Sequence, residues 1–430
     1  MLIQCPWSVT VDLRTLVVLC LIVRPALVDA QSRHSLTLDA TIRRVLETHP
    51  SIGAAAEGVR AARGSRLTAR SWTNPTLNYE VERAPLPGRT TPVGMERETR
   101  ASVMFPLEPV YQLRSRASRA NAELRRAEAD LLESRRQTVL TAAEAFHRAA
   151  SAQVAVEAGV EIRAWLDSLL DYTRKRVQEG ATAEVDLIRL EVEQGRVETD
   201  LAIARVELAR AATDLGVLLG FDSVTADVAD DSLPAPRTLP ALGDLLALAI
   251  KNRPDLRAAE ANVAATRAGV GVERAAIVRE VGVMAGVMSM DGTRSLMAGV
   301  TMPFPLFDQN RGEIQRASAE GHVAELDRTL VERRVTADVA SAYSAVQALT
   351  AQVSRISGSL LTRAEDGRRI AEGAYREGAV PLVQVLDAAR ALAEARTLFY
   401  RVRFAWRQSL IELNAAIGAT DLSTLPSEVR

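Results

Sequence analysis

The sequence predicts a mainly α fold, written as two structural repeats of long helical hairpins plus β-hairpins. Three observations predict it. Ala, Arg, Leu, Glu and Val dominate the 430 residues and aromatics are only 4 %, which is the composition of long helices. Two long stretches, Tyr111 to Gln178 and Gly312 to Glu377, contain no proline. "VQEGATAEVDLIRLEV" (177–192) returns as "YREGAVPLVQVLDAAR" (375–390), so Glu179-Gly180-Ala181 recurs as Glu377-Gly378-Ala379.

Residues 1–30 read as an export signal. Arg14 precedes the apolar run "TLVVLCLIV" (15–23), and "VDA" (28–30) is a small-residue cleavage site. The run is too short to span a bilayer as a helix. Cys5 and Cys20 both fall inside the signal segment 1–30, so the exported chain is expected to hold neither disulfide nor thiolate metal site. "VVLC" lacks the small residues that usually precede a lipidated cysteine. No later apolar run is long enough for a transmembrane helix. Charge is balanced, 53 basic against 54 acidic residues, which removes the electrostatic case for binding nucleic acid.

Two halves follow. The first repeat (31–220) holds a helix, a β-hairpin at about 72–107 and a long helical hairpin turning near 180. A linker (221–238) leads to the second repeat (239–418), with its β-hairpin at about 280–305 and its helical turn near 378; 419–430 is a C-terminal tail. "LDATIRRVLETHPSIGAAAEGVRAAR" (38–63) matches "LGDLLALAIKNRPDLRAAEANVAATR" (242–267), and "LGVLLG" (215–220) matches "LNAAIG" (413–418). A period of about 200 residues is too long for a solenoid unit and reads as duplication of a half-domain.

Leu113, Ala117, Ala120, Leu124, Ala127 and Leu131 step by four and three, a heptad stripe. As one helix, residues 111–178 would span roughly 100 Å. That is a coiled coil or the wall of a tube. "LNYEVE" (77–82) and "ETRASVMF" (98–105) alternate apolar and polar residues with period two, as strands with one wet face do. "VGVMAGVMSM" (281–290) and "LMAGVTMPF" (296–304) flank "DGTR", a hairpin signal. Four strands cannot close a barrel, and open edges are not tolerated in lipid. Two copies would give eight strands and three would give twelve, and geometry of this kind does not choose between them.

On these residues, together with "SWTNPTLNYEVE" and "PFPLFDQNRGEIQRA", the chain resembles the TolC family of outer-membrane efflux proteins. "NPTL…E" and "PLFDQNRG" look most like the heavy-metal efflux branch, the CzcC- and CusC-like proteins. The resemblance adds a membrane β-barrel: it implies a homotrimer, a trimeric 12-stranded barrel continued by an α-helical periplasmic tunnel. It implies localisation to the cell outer membrane of a Gram-negative bacterium, with three kinds of contact: outer-membrane lipid, a periplasmic adaptor (membrane fusion protein) and an inner-membrane RND-type pump. The function it implies is a passive exit duct for solutes, heavy-metal cations or drugs. Gly180 and Gly378 would mark the periplasmic tips, where the tunnel narrows and meets the adaptor.

The resemblance also implies a gate. Counted from the tip glycines, Asp186 matches the family's gate aspartate and Tyr375 its tyrosine. The arginine position holds Val380, so that salt bridge cannot form; Arg376 or Arg174 are the basic residues at hand to substitute. Of two inward aspartates in some members, Asp387 matches one and Gln384 replaces the other. The plain alternative for Asp186 and Asp387 is a solvated helix face.

Met284, Met288, Met290, Met297 and Met302 crowd the second β-hairpin. Thioethers suit Cu(I), but methionine is also an adaptable apolar filler on a lipid-facing or packed strand, and no metal site is expected. His34, His49, His147 and His322 show no ligand spacing; His49 beside Pro50 reads as a helix-end residue. No catalytic motif appears, so neither an enzyme nor a cofactor is expected. Two other readings explain part of the pattern: a soluble periplasmic coiled-coil scaffold, and a type I protein secretion duct of the same fold. The scaffold leaves the two alternating hairpins unexplained.

Overall fold

The computed structural model describes residues 35–82, 98–107, 110–221, 225–226, 239–278, 281–290 and 292–419. The export signal, the segment 84–94, most of the linker and the tail beyond 419 lie outside them. Each half begins with two helices: α1 (Leu38–Thr48) and α2 (Pro50–Arg70), then α5 (Leu242–Asn252) and α6 (Pro254–Ala275). The sequence reading had one helix in each place. Pro50 and Pro254 break it, because proline pushes the preceding residue out of helical geometry. His49 and Arg253 are accordingly extended, with ψ of 128° and 123°.

The first half continues through β2 (Thr76–Glu82), β3 (Glu98–Pro106), α3 (Val110–Gln178) and α4 (Glu184–Leu219). The second continues through β5 (Gly282–Met290), β6 (Thr293–Thr301), α7 (Arg311–Arg355), α8 (Leu361–Arg376) and α9 (Leu382–Ala416). A two-residue parallel bridge joins β1 (Ser35–Leu36) to β4 (Thr225–Ala226). The tight turn at Gly292 (φ 80°) lets β6 start at Thr293, three residues before the sequence reading placed it. The long helix expected after Gly312 is also interrupted, by a π-helical turn at Ile356–Leu360. The turn contains Ser357-Gly358-Ser359, and the hydroxyls of Ser354 and Ser359 bond back to Thr350 and Arg355 carbonyls. Such back-bonding weakens the regular ladder.

The four long strands form one antiparallel sheet in the order β2-β3-β5-β6, so the inner strands join the two repeats. Its register sorts the side chains. Leu77, Tyr79, Val103, Phe105, Val287, Leu296 and Val300 share one face. Leu296 is 90 % exposed there and Leu77 74 %. Glu98 and Ser102, on the opposite face, are buried. This is a soluble protein's sheet turned inside out, the arrangement lipid rewards. Both outer strands, β2 and β6, keep an open edge. No described helix is long and apolar enough to cross a membrane.

The helices pack along their lengths around two apolar clusters. One gathers Val45, Phe146, Leu215, Phe404 and Ile411; the other gathers Leu245, Val335, Val346, Trp406 and Leu413. Both halves end on a glycine in the left-handed region, Gly220 (φ 73°) and Gly418 (φ 72°). A Cβ on Gly418 would stand 2.9 Å from the Asn252 carbonyl carbon. Gly418→Ala is therefore expected to destabilise by about 1–2 kcal/mol from its backbone conformation alone, and further through the clash. Thermal melting checks this, with Gly53→Ala, inside α2 where a Cβ meets nothing within 4 Å, as a control expected to stabilise by up to about 1 kcal/mol.

Candidate functional site

The two helical hairpins turn by the same hydrogen-bond scheme. Gly180 (φ 71°) donates to the Val177 carbonyl at 3.0 Å, and Ala181 N reaches back to the Arg176 carbonyl at 2.8 Å. Gly378 (φ 80°) donates to the Tyr375 carbonyl at 3.0 Å, and Ala379 N to the Ala374 carbonyl at 2.8 Å. This is a helix-ending motif in which the left-handed residue is usually glycine. Both glycines are exposed at the turn.

Beneath the turns lies a third apolar cluster that ties the hairpins together: Leu166, Leu170, Leu190, Tyr375, Leu382 and Val385. Tyr375 is 4 % exposed and crosses between hairpins. Its hydroxyl meets Thr173 Oγ1 at 3.4 Å, and its ring meets Tyr172 edge-on at 6.3 Å. Val380, at the expected arginine position, packs against this cluster, so apolar contact replaces a charge there.

The structure brings Tyr375 to the first hairpin, but through Thr173 rather than through Asp186. Asp186 stands in the first turn of α4, where the helix dipole favours an anion, and pairs with Arg189 at 3.9 Å. Arg376 and Arg174 are each engaged within their own helix, with Glu372 at 2.6 Å and Asp171 at 3.3 Å. Gln384 and Asp387 share the exposed face of the first turns of α9. The Asp387 carboxylate is 63 % exposed, 3.6 Å from Arg390.

Sequence reasoning missed several tip residues. Arg176 closes the first turn on the Ala181 carbonyl and lies 5.8 Å over the Tyr172 ring. Glu372 accepts from Trp165, Arg368 and Arg376, binding α8 to α3. Arg390 of α9 forks onto Glu193 of α4 at 2.5 and 3.0 Å. Those hydrogen bonds hold the Glu193 carboxyl below the usual carboxylate range, against its partial burial. One signal was available: Glu193 and Arg390 lie at nearly equal distances past Gly180 and Gly378, on helices that leave the tip side by side.

No grouping of three or more His, Cys, Asp or Glu residues suited to a metal occurs among the described residues. His147 is buried between α3 and α9 with Nδ1 3.0 Å from Gln408 Oε1. Burial lowers it to about 4, with Gln408 opposing and Arg407 adding, so it is neutral packing at pH 7. His49 ends α1 and caps α2 through Ser51 N.

The family model for outer membrane efflux proteins matches residues 41–221 and 245–419, both repeats in turn. The chain belongs to the outer membrane efflux protein family. This efflux protein is 26 % identical to the cobalt-zinc-cadmium resistance protein CzcC of Cupriavidus metallidurans over 386 residues, 89 % of this chain and 90 % of that one. It is 30 % identical to the nickel and cobalt resistance protein CnrC of the same organism, over 72 % of this chain and 73 % of that one. Among solved structures it shares the fold of CusC (TM-score 0.74, 21 % identity, 89 % and 92 % covered). It likewise shares the fold of the Vibrio cholerae outer membrane protein VceC (TM-score 0.71, 20 % identity, 89 % and 96 % covered). The protein is an outer-membrane efflux channel related to heavy-metal resistance proteins, and it is not an enzyme.

Proposed function

We propose that this channel is the passive exit duct of a tripartite efflux system. Three copies close a twelve-stranded barrel, and their helices continue it as a periplasmic tunnel. A periplasmic adaptor docks at the exposed turns around Gly180 and Gly378, and an inner-membrane pump of the RND type supplies the energy. The cargo is metal cations, a reading supported by the relatives named for cobalt, zinc, cadmium and nickel resistance. The single observation that carries the duct is the sheet: an exposed apolar face, an opposite face that holds the acidic and other polar side chains, and two open edges. Only closure with further strands satisfies those edges in lipid.

In this reading the tip is a constriction closed mainly by apolar packing around Tyr375 and Val380. Asp387 would form a threefold ring on its lumen side, which attracts cations. Planar-bilayer recordings test it. Wild-type channels are expected to be cation-selective and blocked by trivalent cations, and Asp387→Ala is expected to weaken both properties while trimers persist. Unchanged selectivity and block would remove Asp387 from the constriction.

A further inference from the structure

The two faces of the sheet use different apolar residues. Among the paired strand residues the exposed face carries Leu, Val, Phe, Tyr and Ala and no methionine, while Met302, one residue past β6, is 58 % exposed. The opposite face carries Met104, Met284, Met288 and Met297, half-buried, and Met290, 40 % exposed, but no Leu, Ile, Val or Phe. With the sheet as the wall of a lumen, these methionines do not face lipid.

Geometry gathers the thioethers. Met104 on β3 stands directly opposite Met284 on β5. Met297 on β6 stands opposite Gly286, the next residue along the same face of β5. Directly opposed Cβ atoms lie about 5 Å apart and diagonal ones about 7 Å, within reach of a three-torsion side chain. Glycines leave room for these side chains to lie flat across the strands. A Cβ on Gly282 would stand 2.7 Å from Met104 Sδ, and one on Gly299 would stand 3.5 Å from Met284 Cε. Toward the hairpin ends the same face carries Glu80, Glu82 and Glu98 around a single Arg100, at 3.3, 3.7 and 3.1 Å.

We propose that this face is a thioether site for a soft monovalent cation, Ag(I) or Cu(I), with Met104, Met284 and Met297 at its centre. The proposal rests on reading the sheet as the wall of a lumen. Thioethers are neutral and soft, favouring such ions over Co(II) or Ni(II). They carry no ionisable proton, so binding is expected to be unchanged between pH 6 and 8.

The test uses the exported protein purified in detergent, which without the signal at 1–30 holds no thiol to compete. Silver nitrate is titrated in chloride-free buffer, with cobalt as the control, and silver X-ray absorption reports the neighbouring atoms. The wild-type background is expected to bind Ag(I) saturably with sulfur neighbours, and not to bind Co(II) at this face. The triple variant Met104→Leu, Met284→Leu, Met297→Leu keeps size and apolarity and is expected to lose that binding. Single Met→Leu variants, each expected to weaken it, serve if the triple does not fold. Silver binding that survives the leucine variants, or no saturable binding at all, overturns the proposal. Native mass of the same samples separates this from the duct reading: an oligomer that ignores silver refutes the thioether site alone, and a membrane-inserted monomer refutes the duct.

Discussion

Arg253→Ala is expected to cost about 3–5 kcal/mol of stability, as removing one partner of a buried ion pair does. Arg253 is 1 % exposed at the break between α5 and α6. Its guanidinium forks onto Asp255 at 2.6 and 2.9 Å, reaches Asp338 of α7 at 3.0 Å and donates to the Ala416 carbonyl at the end of α9 at 3.4 Å. One side chain thus joins three elements of the second repeat, beside the Gly418 turn. Burial pushes the Asp255 carboxyl up, but the hydrogen bonds and charge of Arg253 outweigh it and hold the carboxyl below its usual value of 3.8. A depressed carboxyl contributes stability above its unfolded pKa and loses it as pH falls through the folded one. The gap between wild type and Arg253→Ala in thermal melting should therefore narrow in acid. A constant gap down to pH 3 would show that Asp255 contributes nothing to it.

Leu296→Arg is expected to abolish stable membrane insertion while Ser295→Arg is tolerated. Leu296 pairs with Val287 on the apolar face, and Ser295 pairs with Met288 on the polar one. An arginine on the lipid face costs about 2–4 kcal/mol near the bilayer midplane, whereas a lumen-facing one meets water. Outer-membrane fractionation of the two variants reads the difference. Equal behaviour would mean that the face assigned to lipid does not touch it.

How much of this was legible in the sequence follows from which interactions are local. The tip turns announced themselves because a left-handed residue at a helix end is nearly always glycine, and "EGA" appears twice. The strands announced themselves through period-two alternation in "LNYEVE" and "ETRASVMF". The breaks at Pro50 and Pro254 were equally local, yet the matching helical pattern on both sides concealed them. The π turn at 356–360 has no such marker, since Ser and Gly also occur within the regular stretches of these helices. The Arg253 network and the Arg390–Glu193 fork bring together residues 85 and 197 positions apart, which no window along the chain can pair. The partner of Tyr375 depends on how the two hairpins pack, and packing selected Thr173.

The central claim is that the open strands β2 and β6 are closed by two further copies of the chain. Native mass spectrometry of the detergent-extracted protein tests it most directly. The account predicts three chains per particle, dissociating together on heating. A stable, membrane-extracted monomer or dimer would contradict it.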